Sequence, residues 1–181
     1  GLWRAYCPSR IGEINDIQRN RLSKVLLENG KLRYRNSPDT RQNGLYWIYT
    51  NYSVEETLNS EPCSKKGAIN FADTATENMG LTLLCDIEID GFRLVYSGIG
   101  GVGKKGFGGL RERILEEYRG GSGTGSLAIR DSSLSDLSRW RVSYVLWSEI
   151  HFSKPFDYIL FSTAMEGLWR LHSGWPLLCS K

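Results

Sequence analysis

Tyr46 and Tyr96 each sit in a short, glycine-flanked apolar run: Gly44-Leu45-Tyr46-Trp47-Ile48-Tyr49 and Phe92-Arg93-Leu94-Val95-Tyr96-Ser97-Gly98. Arg113 follows on a basic helical stretch, Leu110-Arg111-Glu112-Arg113-Ile114-Leu115-Glu116-Glu117-Tyr118, and Glu166 lies far downstream in a second helical run. Two phenols, one guanidinium and one carboxylate are groups that could handle a proton, bind an anion and hold a cation. A guanidinium binds two phosphate oxygens in a planar fork and keeps its charge. A single carboxylate can hold a hard divalent cation that keeps most of its waters. Each residue also has an ordinary reading. Strand tyrosines are usually packed core residues with a satisfied hydroxyl, and the chain has nine tyrosines. Helical Arg113 and Glu166 would ordinarily face solvent. The order and setting of the four raise them above that background.

These motifs, in this order, resemble the GIY-YIG nuclease family. Gly44-Leu45-Tyr46 stands for the first motif and Tyr96-Ser97-Gly98 for the second, and the spacing of Leu110 and Arg113 is similar to the family's L-x-x-R. The resemblance spans roughly the last three quarters of the chain. It implies that Tyr46 helps to deprotonate the attacking water with Tyr96 nearby, that Arg113 binds the scissile phosphate, and that Glu166 holds one Mg2+ or Mn2+. Both tyrosines would then need a lowered pKa, which neighbouring cations would provide. The chain departs from the family at two places. Where members carry His or Tyr one turn after the arginine, Glu117 stands here, with Tyr118 beside it as a possible substitute. Where many carry an asparagine after the glutamate, the tail Trp175-Pro176-Leu177-Leu178-Cys179-Ser180-Lys181 has none.

The loop before the basic helix, Gly98-Ile99-Gly100-Gly101-Val102-Gly103-Lys104-Lys105, matches G-x-G-x-x-G and most of a P-loop. A P-loop needs Ser or Thr after its lysine, and Lys105 follows instead. Both motifs need the helix to start at the glycines, whereas Gly106-Phe107-Gly108-Gly109 intervenes. A loop that brings Lys104 and Lys105 to a polynucleotide phosphate fits better than a nucleotide site. Asp86, Glu88 and Asp90 share the polar face of one predicted strand, and a solvated strand edge accounts for them.

The elements that must position these groups follow from periodicity. Ile11, Ile14, Ile17, Leu22, Val25 and Leu26 predict a helix over 11–28, stopped by Asn29-Gly30. Arg33, Arg35 and Arg41 make the following stretch basic, a candidate nucleic-acid contact or a solvated face. Strands are expected at 45–49, at 83–90 and 92–96 around an Asp90-Gly91 turn, and at 142–150. Residues 51–80 read as a polar insertion between strands, with some local helix. Helices are expected at 109–118, briefly within 127–140, and over 156–171, where Ser153 could cap and Pro155 and Asp157 fit the start. The expected fold is α+β, a small, mostly antiparallel sheet of about three main strands flanked by helices. Residues 1–42 form an N-terminal helical and basic arm, and residues 43–181 the nuclease-like domain.

Composition bounds the reading. The chain has 181 residues, 40 % hydrophobic and 24 % charged, with net charge +3. That length supports a real core. No run of eighteen apolar residues exists, so no membrane-spanning helix is expected. Cys7, Cys63, Cys85 and Cys179 form no C-x-x-C pair, which argues against a zinc knuckle and for thiols in a reducing cytoplasm. With only two histidines, an H-E-x-x-H or HNH-type site is excluded or hard to build. The N-terminus lacks a signal pattern, and Gly1 suggests a fragment start or a cloning scar. The expected function is a metal-dependent DNA endonuclease, of restriction type, acting on double-stranded DNA as a homodimer or larger assembly. The alternatives are a repair or toxin nuclease with the same site, a non-catalytic DNA-binding module, and a nucleotide-binding protein.

Overall fold

The computed structural model describes the backbone of residues 2–101, 108–121, 125–150 and 158–180. The fold is α+β, built on one six-stranded sheet in the order β2-β1-β6-β3-β5-β4. Its elements are α1 (Leu2–Asn20), β1 (Ser23–Glu28), β2 (Lys31–Tyr34), β3 (Gly44–Thr50), α2 (Val54–Leu58), α3 (Phe71–Met79), β4 (Glu88–Ile89), β5 (Phe92–Gly100), α4 (Leu110–Arg119), β6 (Trp140–Leu146) and α5 (Tyr158–Ser173). The five strand pairings are antiparallel.

Strand β3 is the centre of the molecule. All seven of its residues are buried, and successive side chains point to opposite faces. Tyr46 and Ile48 pack with Val95, Ile114, Tyr118 and Val142 on one face. Leu45, Trp47 and Tyr49 pack with Ile14, Leu94, Met165 and Trp169 on the other. Helix α4 therefore covers one face and α1 and α5 the other. Trp47 and Trp169 meet with ring centroids 5.5 Å apart; each fully buried large side chain contributes roughly 2–3 kcal/mol.

The sheet has six strands where about three main ones are expected: β1 and β2 are additional, and β4 is shorter than expected. The predicted helix over 11–28 ends at Asn20, and Ser23–Glu28 is a strand. Asn29 and Gly30 both take positive φ, 49° and 73°. They form a two-residue hairpin turn, which twists in the sense that paired strands need, and they pair Glu28 with Lys31. The residues read as a helix stop thus close the β1–β2 hairpin. At the other edge, Asp90-Gly91 does turn, with φ of 52° and 78°. Only Glu88 and Ile89, however, pair with β5. The preceding residues hold the C-terminal tail instead: Cys85 N–H donates to the Trp175 carbonyl at 2.9 Å, and Trp175 N–H to the Leu83 carbonyl at 2.9 Å.

Three other boundaries shift. The 51–80 segment contains α2, with a Ser53–Glu56 capping box, and α3, capped by Asn70. Residues 127–140 hold two single-turn 3-10 segments, Ile129–Asp131 and Leu137–Arg139. The last strand stops at Leu146, and Trp147–Glu149 turns away. Ser153, Pro155 and Asp157 lie outside the described residues. Among the described residues no helix is long and apolar enough to cross a membrane.

Candidate active site

Beyond Arg93 the outer edge of β5 has no strand neighbour among the described residues. The C-terminal tail lies along part of it, with Leu178 N–H donating to the Val95 carbonyl at 2.8 Å. Tyr96, Ser97 and Gly98 occupy this edge, where side chains from both layers of helix converge.

From the α4 side come Tyr46, Arg113 and Glu117. Tyr46 and Gly98 are register partners. A Cβ on Gly98 would lie 2.4 Å from the Tyr46 hydroxyl oxygen, so only glycine leaves room for the ring. Gly100 plays the same part for the helix, since its Cβ would lie 2.4 Å from Leu110 Cα at the start of α4. Gly98 of the second motif and Gly100 two residues on are thus spaces, one for a phenol and one for a helix. Seated there, α4 brings Glu117 to Tyr46, whose hydroxyl donates to Glu117 Oε1 at 2.7 Å. Leu127 N–H donates to Oε2 at 2.8 Å. Glu117 has no exposed surface, and both its oxygens are matched by donors, as a buried carboxylate requires. One turn earlier, Arg113 Nη1 donates to Glu116 Oε2 at 2.7 Å. The Tyr96 ring lies beside Tyr46 with centroids 6.3 Å apart.

From the α5 side comes Glu166. Arg170, one turn on, donates from Nη2 to Glu166 Oε1 at 2.8 Å. Ser97 Oγ reaches the same oxygen at 3.4 Å. Arg170 also donates from Nε to Ser97 Oγ at 3.0 Å and from Nη2 to the Ser97 carbonyl at 3.3 Å. Its guanidinium is thereby fixed to the outer edge of β5. The Cys179 thiol completes the corner, accepting from Ser97 N–H at 3.3 Å.

The electrostatics differ from the sequence expectation in one respect. Neither phenol is lowered. Burial pushes Tyr46 well above its ordinary value, and Glu117 and Tyr96 push it further while Arg113 opposes. Tyr96 is raised in the same way, by burial and then by Glu117, with Cys179 and Glu166 adding and Arg113 opposing. Desolvation outweighs the opposing charge of Arg113. Burial also pushes the Glu117 carboxyl up to about 7, against the Leu127 amide, the Tyr46 hydroxyl and Arg113, which favour its ionised form. Glu166 is raised by burial, opposed by Arg170 and Ser97.

Tyr46, Tyr96 and Arg113 thus lie together on the α4 side of the sheet, and Glu166 lies on the α5 side against Ser97, the residue after Tyr96. The Tyr96 phenol lies in the fields of Glu117, Arg113 and Glu166 together. Tyr118 is not there as a substitute for the family's His or Tyr. It is fully buried, its hydroxyl has no partner among the described residues, and Glu117 makes the contact with Tyr46. Sequence reasoning missed Arg170 and the burial of Glu117. The first was legible as an i,i+4 acid–base pair on a helix; nothing local signals the second.

Lys104 and Lys105 lie outside the described residues. Arg33 and Arg35, with Arg111 of α4, line a cavity of about 290 Å³ between the β1–β2 hairpin and α4. All three are exposed, and Arg33 lies 3.8 Å from Glu28. Arg41, also exposed, takes a positive φ of 62° and packs its backbone against Gly109 at the start of α4. It is not part of that cavity lining.

For a divalent cation the fit rests on Glu166. Among the described residues no group of three or more His, Cys, Asp and Glu is placed to hold a metal. A single carboxylate suffices for a hard ion that keeps its waters. Glu166 Oε2 has no protein hydrogen bond among the described residues, and the side chain is 16 % exposed. The chain matches no family model, no curated protein and no solved structure.

Proposed function

We propose that this chain is a DNA endonuclease that hydrolyses phosphodiester bonds with a divalent cation, as its resemblance to GIY-YIG nucleases implies. One observation carries the reading. The four residues singled out by type and order, from two strands and two helices far apart in sequence, are gathered about the Tyr96–Ser97 segment of β5, Tyr46 and Arg113 from the α4 side and Glu166 from the α5 side. In this account Arg113 leaves Glu116 to bind the scissile phosphate, and Arg170 supplies a second, fixed positive charge. Tyr96, the partly exposed phenol of the pair, faces the substrate. Tyr46 lies behind it on Glu117. Glu166 would hold Mg2+ or Mn2+, which when bound stabilises charge on the leaving oxygen.

Double-stranded DNA is the proposed substrate, with Arg33, Arg35 and Arg41, and the loop lysines Lys104 and Lys105, as contacts to its backbone. A restriction-type role is favoured by two additions to the sheet, the β1–β2 hairpin at the edge opposite the site and the α2–α3 pair. A twofold recognition sequence would then call for a homodimer. The closed state of Tyr46 and the Arg113–Glu116 pair favour a second reading, a DNA-binding module without catalysis. Incubation of supercoiled plasmid with and without Mg2+ separates them. Discrete fragments support a restriction enzyme, a smear supports a repair or toxin nuclease, and intact plasmid that is nevertheless bound supports the module.

A further inference from the structure

Tyr46 presents a chemical problem that the nuclease reading leaves open. Burial and the adjoining carboxylate hold its phenol well above the ordinary range, so it cannot wait as a phenolate for a water to attack. It can take a proton from water only by giving up its own at the same time. The acceptor must already be hydrogen-bonded to it. Glu117 Oε1 is, at 2.7 Å.

The geometry points to Glu117 as the proton acceptor that acts through Tyr46, a task that falls to a buried carboxylate in this chain. This inference rests on the nuclease reading. In the step, the water oxygen bonds to phosphorus as the bond from phosphorus to the leaving sugar oxygen breaks. The water proton passes to the Tyr46 oxygen, the Tyr46 proton passes to Glu117, and the leaving oxygen takes a proton from solvent. Glu117 later returns its proton to solvent, so no charge accumulates. Tyr46 has no exposed surface in the free chain, so the step needs bound DNA to open a path for water to its hydroxyl.

The surroundings of Glu117 suit the task. Leu127 N–H anchors Oε2 and leaves Oε1 to the tyrosine. The titratable and charged groups facing it are Tyr46 from β3, Tyr96 from β5, and Arg113, Glu116 and Tyr118 from α4. With its pKa near 7, the carboxyl is ionised and ready to accept above neutrality. Below neutrality it is already protonated. Glu117 is a positioning residue in this scheme, since it does not touch the substrate.

Two measurements test it. The first is plasmid cleavage under single-turnover conditions from pH 5.5 to 8.5, with DNA affinity measured in parallel. The wild-type rate should fall about tenfold per unit below pH 7 and level off above it. Glu117→Gln should cut the plateau rate by about 100- to 10,000-fold, typical for loss of a placed proton acceptor, flatten the acid limb, and leave DNA affinity unchanged. Tyr46→Phe, which keeps Glu117, should show the same loss. An acid limb that survives in active Glu117→Gln would overturn the inference while leaving the nuclease intact. The second is infrared titration without DNA, wild type minus Glu117→Gln. A protonated-carboxyl band that disappears around pH 7 is expected; one that disappears near pH 4.5 would overturn the inference even if the protein cleaves nothing. Inert wild-type protein at every pH, with the band at pH 7, would overturn the proton transfer together with the nuclease reading.

Discussion

Gly98 lies beneath the hydroxyl of Tyr46: the two are paired across β3 and β5, and a Cβ at 98 would come within 2.4 Å of that oxygen. The tyrosine cannot yield easily, because its ring is fully buried and its hydroxyl is committed to Glu117. Gly98→Ala is therefore expected to cost about 1–3 kcal/mol, the usual range for overpacking, and to break the Tyr46–Glu117 bond. Gly167→Ala in α5 is the control. Nothing lies within 4 Å of its added Cβ, and a helical Gly→Ala change gains up to about 1 kcal/mol. Chemical denaturation of the two variants checks both signs.

Arg113 and Arg111 differ by two residues on α4, which places them about 200° apart round the helix. Arg113 faces the tyrosines, and Arg111 lines the separate cavity with Arg33 and Arg35. Arg113→Ala should lower turnover by about 100- to 1,000-fold, as removal of a preorganised charge does. Arg111→Ala should leave turnover at saturating DNA nearly unchanged. Steady-state cleavage of both, with melting temperatures as a folding control, distinguishes them.

Arg111 should act on affinity instead. Each phosphate contact contributes about −0.9 to the slope of log affinity against log salt. Arg35→Ala with Arg111→Ala should therefore flatten the slope by about 2, measured by fluorescence anisotropy on a duplex. An unchanged slope would show that the cavity face does not meet DNA.

Glu117 links stability to pH with a definite sign. Its carboxyl is raised from an ordinary 4.5 to about 7 in the folded chain. Between those values the folded state holds more protons than the unfolded one, so this group's contribution falls as pH rises and levels off above 7. The full change is about 3 kcal/mol, from 1.36 kcal/mol per unit. Urea unfolding at pH 5 and pH 8 should show the wild type losing stability relative to Glu117→Gln over that interval. A constant difference between the two proteins would contradict the raised carboxyl.

The parts of the site legible in the sequence were those with a local cause. Alternation marked β3 and the return strand β5, and the periodicity of 110–118 marked α4. Leu22, Val25 and Leu26 misled because they continue the helical spacing of Ile11, Ile14 and Ile17, yet within β1 only Val25 is buried. The β1–β2 pairing that decides the matter is visible only when Asn29-Gly30 is read as a turn. The alternating run before Asp90 predicted a long strand, but only its last two residues pair with β5 in strand register, and the part around Leu84 pairs with the distant Trp175. The tyrosine pKa values were misjudged for a related reason. Arg113 is apparent in the sequence, whereas the desolvation that outweighs it comes from packing by several separate elements.

The central claim is that Tyr46, Tyr96, Arg113 and Glu166 form a metal-assisted phosphodiesterase site. The most direct measurement is cleavage of supercoiled plasmid by wild type and Glu166→Gln, with Mg2+ and with chelator, alongside DNA binding. The account predicts magnesium-dependent cutting by the wild type, none by Glu166→Gln, and equal DNA affinity for both. Glu166→Gln that cuts as fast as the wild type, or wild type that binds DNA but cuts none in Mg2+ or Mn2+, would contradict it.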